Sequence, residues 1–114
     1  YQKDFFNLEQ TSPHMLIACK VKKTKKKIIP AVVHIDDTCR VQTVNKKFNK
    51  KFNNLIEAFY KLTKIPVILN TSFNIKGQPI VNTPQQAIDT FQNTNIDVLA
   101  IEDYILEKKS NVKN

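Results

Sequence analysis

A single glycine, Gly77, serves a chain of 114 residues, against an ordinary usage of roughly 7%. Most turns must therefore be made by Asn, Asp and Thr, and Gly77 is expected where no side chain fits. The same scarcity excludes two kinds of site. Neither a Walker-type phosphate loop nor a dinucleotide-binding fingerprint can be written without several glycines. A phosphate group would have to meet Arg, Lys, Ser or a backbone N–H instead.

The length suits one domain, residues 1–114, large enough to bury a core without disulfides or metal. Formal net charge is +8, and the lysines are clustered at Lys20, Lys22, Lys23, Lys25, Lys26 and Lys27 and again at Lys46, Lys47, Lys50 and Lys51. Such clusters suit either phosphate neutralisation on a nucleic acid or a solvated lysine-rich surface. The absence of interleaved aromatic or arginine residues favours the solvated surface. Cys19 and Cys39 lie in strand-like sequence without a CxxC pattern, so they read as reduced thiols in or near a core rather than zinc ligands. No apolar run is long enough to span a membrane and no signal-peptide pattern is present, so a cytoplasmic location is expected. The start at Tyr1, without an initiator methionine, reads as a piece of something longer.

Patterning gives the order β-β-β-α-β-β-α-β-β: an α/β (α+β) fold, with helices packed on a mixed twisted sheet. Strands are expected at His14–Val21, Ala31–Ile35 and Cys39–Val44, with an acidic turn of Asp36, Asp37 and Thr38 between the last two. Asn49 caps a helix running to about Thr63, with Phe52, Leu55, Ile56, Phe59 and Leu62 on one stripe. Strands follow at Val67–Asn70 and Ile80–Val81, bracketing a polar turn. Thr83 and Pro84 open a second helix, with Ala87, Ile88 and Phe91 facing inward. Strands at Asp97–Ile101 and Tyr104–Glu107 precede a polar tail, 108–114.

Several side chains could carry chemistry. Arg40 is the only arginine among eighteen basic residues, as expected where a planar bidentate fork is required; an ion pair with Asp36 or Asp37 explains it equally well. His34 and Asp36 share one face of an extended strand, as part of a polar wall or as a histidine satisfied by a local carboxylate. Asn70 and Ser72 end a strand at the sheet edge, where open α/β sheets bind ligands, or they make an Asx/ST turn. Ser72 has no neighbouring histidine and no nucleophile elbow.

Three blocks, Ser12-Pro-His-Met15, Pro30 to Val44 and Leu69 to Val81, together with Asn54 to Phe59 and Thr83 to Ile88, resemble one family in order and spacing. It is the C-terminal, YrdC-like domain of the O-carbamoyltransferases of the nodulation and antibiotic-tailoring type. The resemblance implies a domain that activates carbamoyl phosphate with ATP (and Mg) to carbamoyl adenylate. It also implies an upstream metal-binding, ATPase-like partner domain that passes the carbamoyl group to an acceptor hydroxyl.

Matched residue by residue, Arg40 corresponds to the arginine at the phosphate region of the nucleotide or carbamoyl adenylate. Asn70 and Ser72 match the polar pair lining that pocket, Ser12 and Met15 a loop near adenine or ribose, and His34 and Asp36 positions of support or contact. The chain departs from the pattern at Asp37, where the family has Gly, and at Gln78, where it has Glu. The extra aspartate is expected to add negative charge near Arg40. The basic segment that completes the pocket is expected upstream of Tyr1, so this chain alone is expected to have little or no activity. Alternatives are a non-catalytic YrdC-like nucleic-acid-binding module and a stand-alone former of another acyl adenylate.

Overall fold

The computed structural model describes residues 1–108. Their elements are short helices and two small antiparallel ladders, an α+β arrangement. They form two compact units, one of Tyr1–Asn70 and one from Thr71 onward. The polar tail lies outside the described residues beyond Lys108.

In the first unit, one helical turn, α1 (Gln2–Phe5), precedes strands β1 (Ala18–Lys20) and β2 (Thr38–Arg40). The strands pair antiparallel, with Ala18 opposite Arg40, Cys19 opposite Cys39 and Lys20 opposite Thr38. Side chains alternate across a strand, so Cys19 and Cys39 point together into the core. Phe5, Phe6, Leu8, Val21, Ile29 and Val41 complete that core. Burial of each large apolar side chain contributes roughly 1.5–3 kcal/mol. The two thiols are free, with Sγ atoms 4.0 Å apart. Burial first, and then the neighbouring Cys19, push the Cys39 thiol up to about 12.

The long helix α2 (Lys50–Thr63) starts where the sequence places it, because the Asn49 side chain accepts from the Phe52 N–H at 3.1 Å. It ends at Lys64, whose backbone is left-handed at φ 63° and donates to the Tyr60 carbonyl at 2.8 Å. No residue of α2 is fully buried.

The second unit holds α3 (Pro84–Gln92) and a hairpin of β3 (Val98–Ile101) and β4 (Tyr104–Glu107). Thr83 caps α3 by accepting from the Gln86 N–H at 3.2 Å, and Gln86 Oε1 returns to the Asn82 N–H at 2.9 Å. Ala87, Phe91 and Leu99 form its core, flanked by Phe73, Val81, Ile88, Ile101 and Leu106.

The strand assignments need correction. The single mixed sheet expected from the patterning is replaced, among the described residues, by two two-stranded antiparallel ladders. The strand expected at His14–Val21 shortens to Ala18–Lys20, and the one at Cys39–Val44 becomes Thr38–Arg40. In Ala31–Ile35, Pro30–Val32 form a 3-10 turn, because Pro30 suits the first turn and the Val33 N–H bonds the Pro30 carbonyl. Val67–Asn70 and Ile80–Val81 join no strand. A ladder needs a partner on its edge, and apolar composition alone supplies none.

Gly77 also differs from expectation. Its φ is +85°, and a Cβ placed there would meet nothing within 4 Å. The position therefore requires backbone handedness rather than room. Met15, Asp37, Lys64 and Glu102 take the same positive-φ region with side chains attached. This is how a glycine-poor chain makes its turns.

Candidate functional site

The burial alternation of β2 continues past its end: Cys39 and Val41 are buried, Arg40 is exposed and Gln42 is half-buried. Arg40 and Gln42 thus lie on the outward side of the same extended segment. Gln42 ties three parts of the first unit together. Its Nε2 donates to the Pro13 carbonyl at 3.1 Å, and its Oε1 accepts from Asn70 Nδ2 at 2.6 Å. Asn70 Nδ2 also lies 3.6 Å from the Met15 sulfur.

The loop carrying Ser12 and Met15 is held to the same segment. The Ser12 N–H donates to Thr43 Oγ1 at 2.8 Å, and the Thr43 N–H returns to the Ser12 carbonyl at 2.9 Å. Met15 takes φ 56°, a conformation that a long side chain holds only when its surroundings enforce it. The Ser12 side chain is 3% exposed, and its Oγ has no hydrogen-bond partner among the described residues. A buried hydroxyl without a partner costs roughly 1–3 kcal/mol, so a polar guest or water beside it would be stabilising.

The structure therefore gathers Ser12, Met15, Asn70 and the unforeseen Gln42 around the segment that carries Arg40. Gln42 could have been found from the sequence only through its period-two relation to Arg40, because its partners lie 28 and 29 residues away. The other residues singled out are placed differently. Ser72 belongs to the second unit, where its Oγ donates to Asn74 Oδ1 at 2.6 Å and Asn74 Nδ2 donates to the Gln78 carbonyl at 3.1 Å. That bonding is the local polar turn.

His34 and Asp36 do not share a strand face, because they lie in the turn between His34 and Thr38. Asp36 Oδ1 accepts from the Thr38 hydroxyl at 2.6 Å and from its N–H at 3.1 Å, and these bonds hold the carboxyl below its ordinary range. His34 Nδ1 lies 3.1 Å from the same hydroxyl. Asp37 pairs with Lys26, and its φ of 67° is one that glycine takes without strain. Neither aspartate is ion-paired with Arg40. Among the described residues, no carboxylate lies within salt-bridge distance of that guanidinium.

Lys20, Lys22, Lys23 and Lys26 surround an open concavity of about 480 Å³, together with Asn7, Val21 and Asp37. Lys20 Nζ is engaged by the Asp36 carbonyl and Lys26 by Asp37, while Lys25 lies over the Phe5 ring.

The class defined here is an α+β chain whose exposed arginine stands on an extended segment braced by amide side chains and a strained loop. Comparison with known proteins assigns it to a family. The family model for the carbamoyltransferase C-terminus matches residues 1–108, and the chain belongs to that transferase family.

Nodulation protein NolNO of Sinorhizobium fredii is 37% identical over 94% of this chain and 16% of its own length. Nodulation protein NolO of Bradyrhizobium diazoefficiens is 37% identical over 93% of the chain and 20% of its own. The uncharacterized protein MJ1051 of Methanocaldococcus jannaschii is 41% identical over 92% of the chain and 20% of its own. The chain thus spans a fifth or less of the length of these relatives. Among the described residues, no helix is long and apolar enough to cross a membrane.

Proposed function

We propose that this chain supplies one wall of the site at which a carbamoyltransferase binds ATP and activates carbamoyl phosphate for transfer to an acceptor hydroxyl. The observation that carries this reading is Arg40: exposed, without a carboxylate partner among the described residues, and set on a braced polar surface. A guanidinium whose charge is not neutralised by an ion pair is available to phosphoryl oxygens, which it meets as a planar fork. Asn70 would supply a hydrogen bond to the bound nucleotide or carbamoyl adenylate. The loop of Ser12 and Met15 would border the adenine or ribose, with the unpartnered Ser12 hydroxyl as a polar contact.

His34 and Asp36 would act here as support, through their bonds to Thr38. The described residues bring no group of three or more His, Cys, Asp or Glu together. Nucleotide chemistry at such a wall rests on positioning and on stabilising charge at the phosphoryl oxygens.

The test uses a chimera in which this chain replaces the matching region of the M. jannaschii relative. Carbamoyl-phosphate-dependent release of pyrophosphate from ATP is measured. Arg40→Ala is expected to lower kcat/KM by about 100-fold or more, Arg40→Lys by less, and Lys22→Ala not at all. Full activity in Arg40→Ala would overturn the assignment.

A further inference from the structure

Residues 66–70, which end in Asn70, are held differently from the rest of the first unit. They join no strand, and among the described residues none of their backbone groups bonds to another backbone group. Val67 packs against the core and fixes the middle of this stretch. Leu69 and Asn70, beyond it, are exposed. A stretch with exposed side chains and no ladder bonds has little local stability of its own, so its end is held only as well as its side chains hold it.

For Asn70 that hold is Gln42. Asn70 Nδ2 donates to Gln42 Oε1 at 2.6 Å, and its other neighbour, the Met15 sulfur at 3.6 Å, is a weak acceptor. Gln42 is itself well placed to hold something. It is half-buried, follows the buried Val41, and donates through Nε2 to the Pro13 carbonyl at 3.1 Å. The loop of Ser12 and Met15 depends on Gln42 less, because two bonds between Ser12 and Thr43 already close it onto the same segment. Removing the Gln42 amide therefore releases Asn70 and little else.

We infer that Gln42 is a positioning residue of the proposed nucleotide wall, a role that rests on the nucleotide reading above and is exerted through Asn70. Arg40 and Gln42 stand two residues apart on one side of an extended segment, roughly 7 Å between their Cα atoms. A ligand whose phosphoryl oxygens meet Arg40 then finds the Asn70 amide already in place at a fixed distance along the wall. An amide held beforehand costs the ligand no ordering, whereas a free one has to be ordered at the moment of binding.

The experiment is a double-mutant cycle in the chimera with the M. jannaschii relative, read as carbamoyl-phosphate-dependent release of pyrophosphate from ATP. Gln42→Met keeps the length of the side chain and removes both of its bonds, and Asn70→Ala removes the group that it holds. Each alone is expected to lower kcat/KM by about tenfold. Together they are expected to match Asn70→Ala alone within about twofold, since Gln42 then has nothing left to position. The loss in Gln42→Met should also divide between KM and kcat as it does in Asn70→Ala, which a general loosening of the fold would not reproduce. Gln42→Ala is expected to repeat the pattern, so that the outcome does not hang on the folding of one variant. A double variant whose loss is the product of the two single losses overturns the inference, and so does unaltered activity in Gln42→Met. Arg40→Ala in the same chimera separates the two failures. Full activity there removes the nucleotide reading, whereas an impaired Arg40→Ala beside independent losses at Gln42 and Asn70 removes the positioning role alone.

Discussion

The C-terminal end of α2 offers a test in which the usual ranking of two residues reverses. Lys64 sits at φ 63°, where a Cβ crowds the following carbonyl oxygen at a cost of roughly 1–2 kcal/mol. Glycine relieves that crowding and returns roughly 0.5–1 kcal/mol through the greater freedom of its unfolded chain. Alanine keeps the Cβ. Both substitutions also remove the bond from Lys64 Nζ to the Lys61 carbonyl, 3.2 Å long, and the cation at the helix end, so these losses cancel between them.

Lys64→Gly should therefore be more stable than Lys64→Ala by about 0.5–1 kcal/mol. At Ala58, exposed within the same helix, glycine should be less stable than the native alanine by about 1 kcal/mol. Urea unfolding followed by helical circular dichroism measures both differences. If alanine equals or exceeds glycine at position 64, the left-handed cap does not carry the strain assigned to it.

The Cys39 thiol, pushed up to about 12 by burial, should resist alkylation in the folded chain at pH 8 and react at once in urea. Its raised folded value means that the associated stability is complete below the ordinary thiol range and is lost as pH climbs from there toward about 12. Unfolding scans across that alkaline window should show the fall, and Cys39→Ala should remove that component. Thr38→Val deletes the hydroxyl that contributes most to lowering the Asp36 carboxyl, and carbon-13 titration should show the value rising toward the ordinary range. The contribution of Asp36 is present above the ordinary carboxyl value and disappears as pH falls through its lowered folded value, so this variant should lose acid resistance.

Much of the helical structure could be read from residues close in sequence. Asn49 and Thr83 cap the two longer helices as their side chains predict, because capping is settled within three residues. The last two strands were legible from local patterning, and the structure pairs them across the two-residue turn of Glu102 and Asp103. Val67–Asn70 has the composition of a strand without a partner to make it one, and a single sequence does not name partners. The site divides along the same line. Arg40 announces itself by being the sole arginine, and the loop residues entered through the family resemblance. Gln42 has no local signature, since its role comes from Pro13 and Asn70.

The bond from Gln42 to Pro13 sets a direction for everything beyond it. A backbone carbonyl can only accept, so Gln42 must turn its amino group toward Pro13 and its oxygen toward Asn70. Asn70 must then answer with its own amino group, which leaves its Oδ1 without a partner among the described residues. A molecule that meets Asn70 there has to bring a hydrogen, as a ribose hydroxyl or a carbamoyl amide does and a fully ionised phosphate does not. Pro13, which carries no side-chain functional group, thus determines the polarity of the end of the chain of amides. Gln42→Glu would reverse none of this but break it, because a carboxylate cannot donate to Pro13.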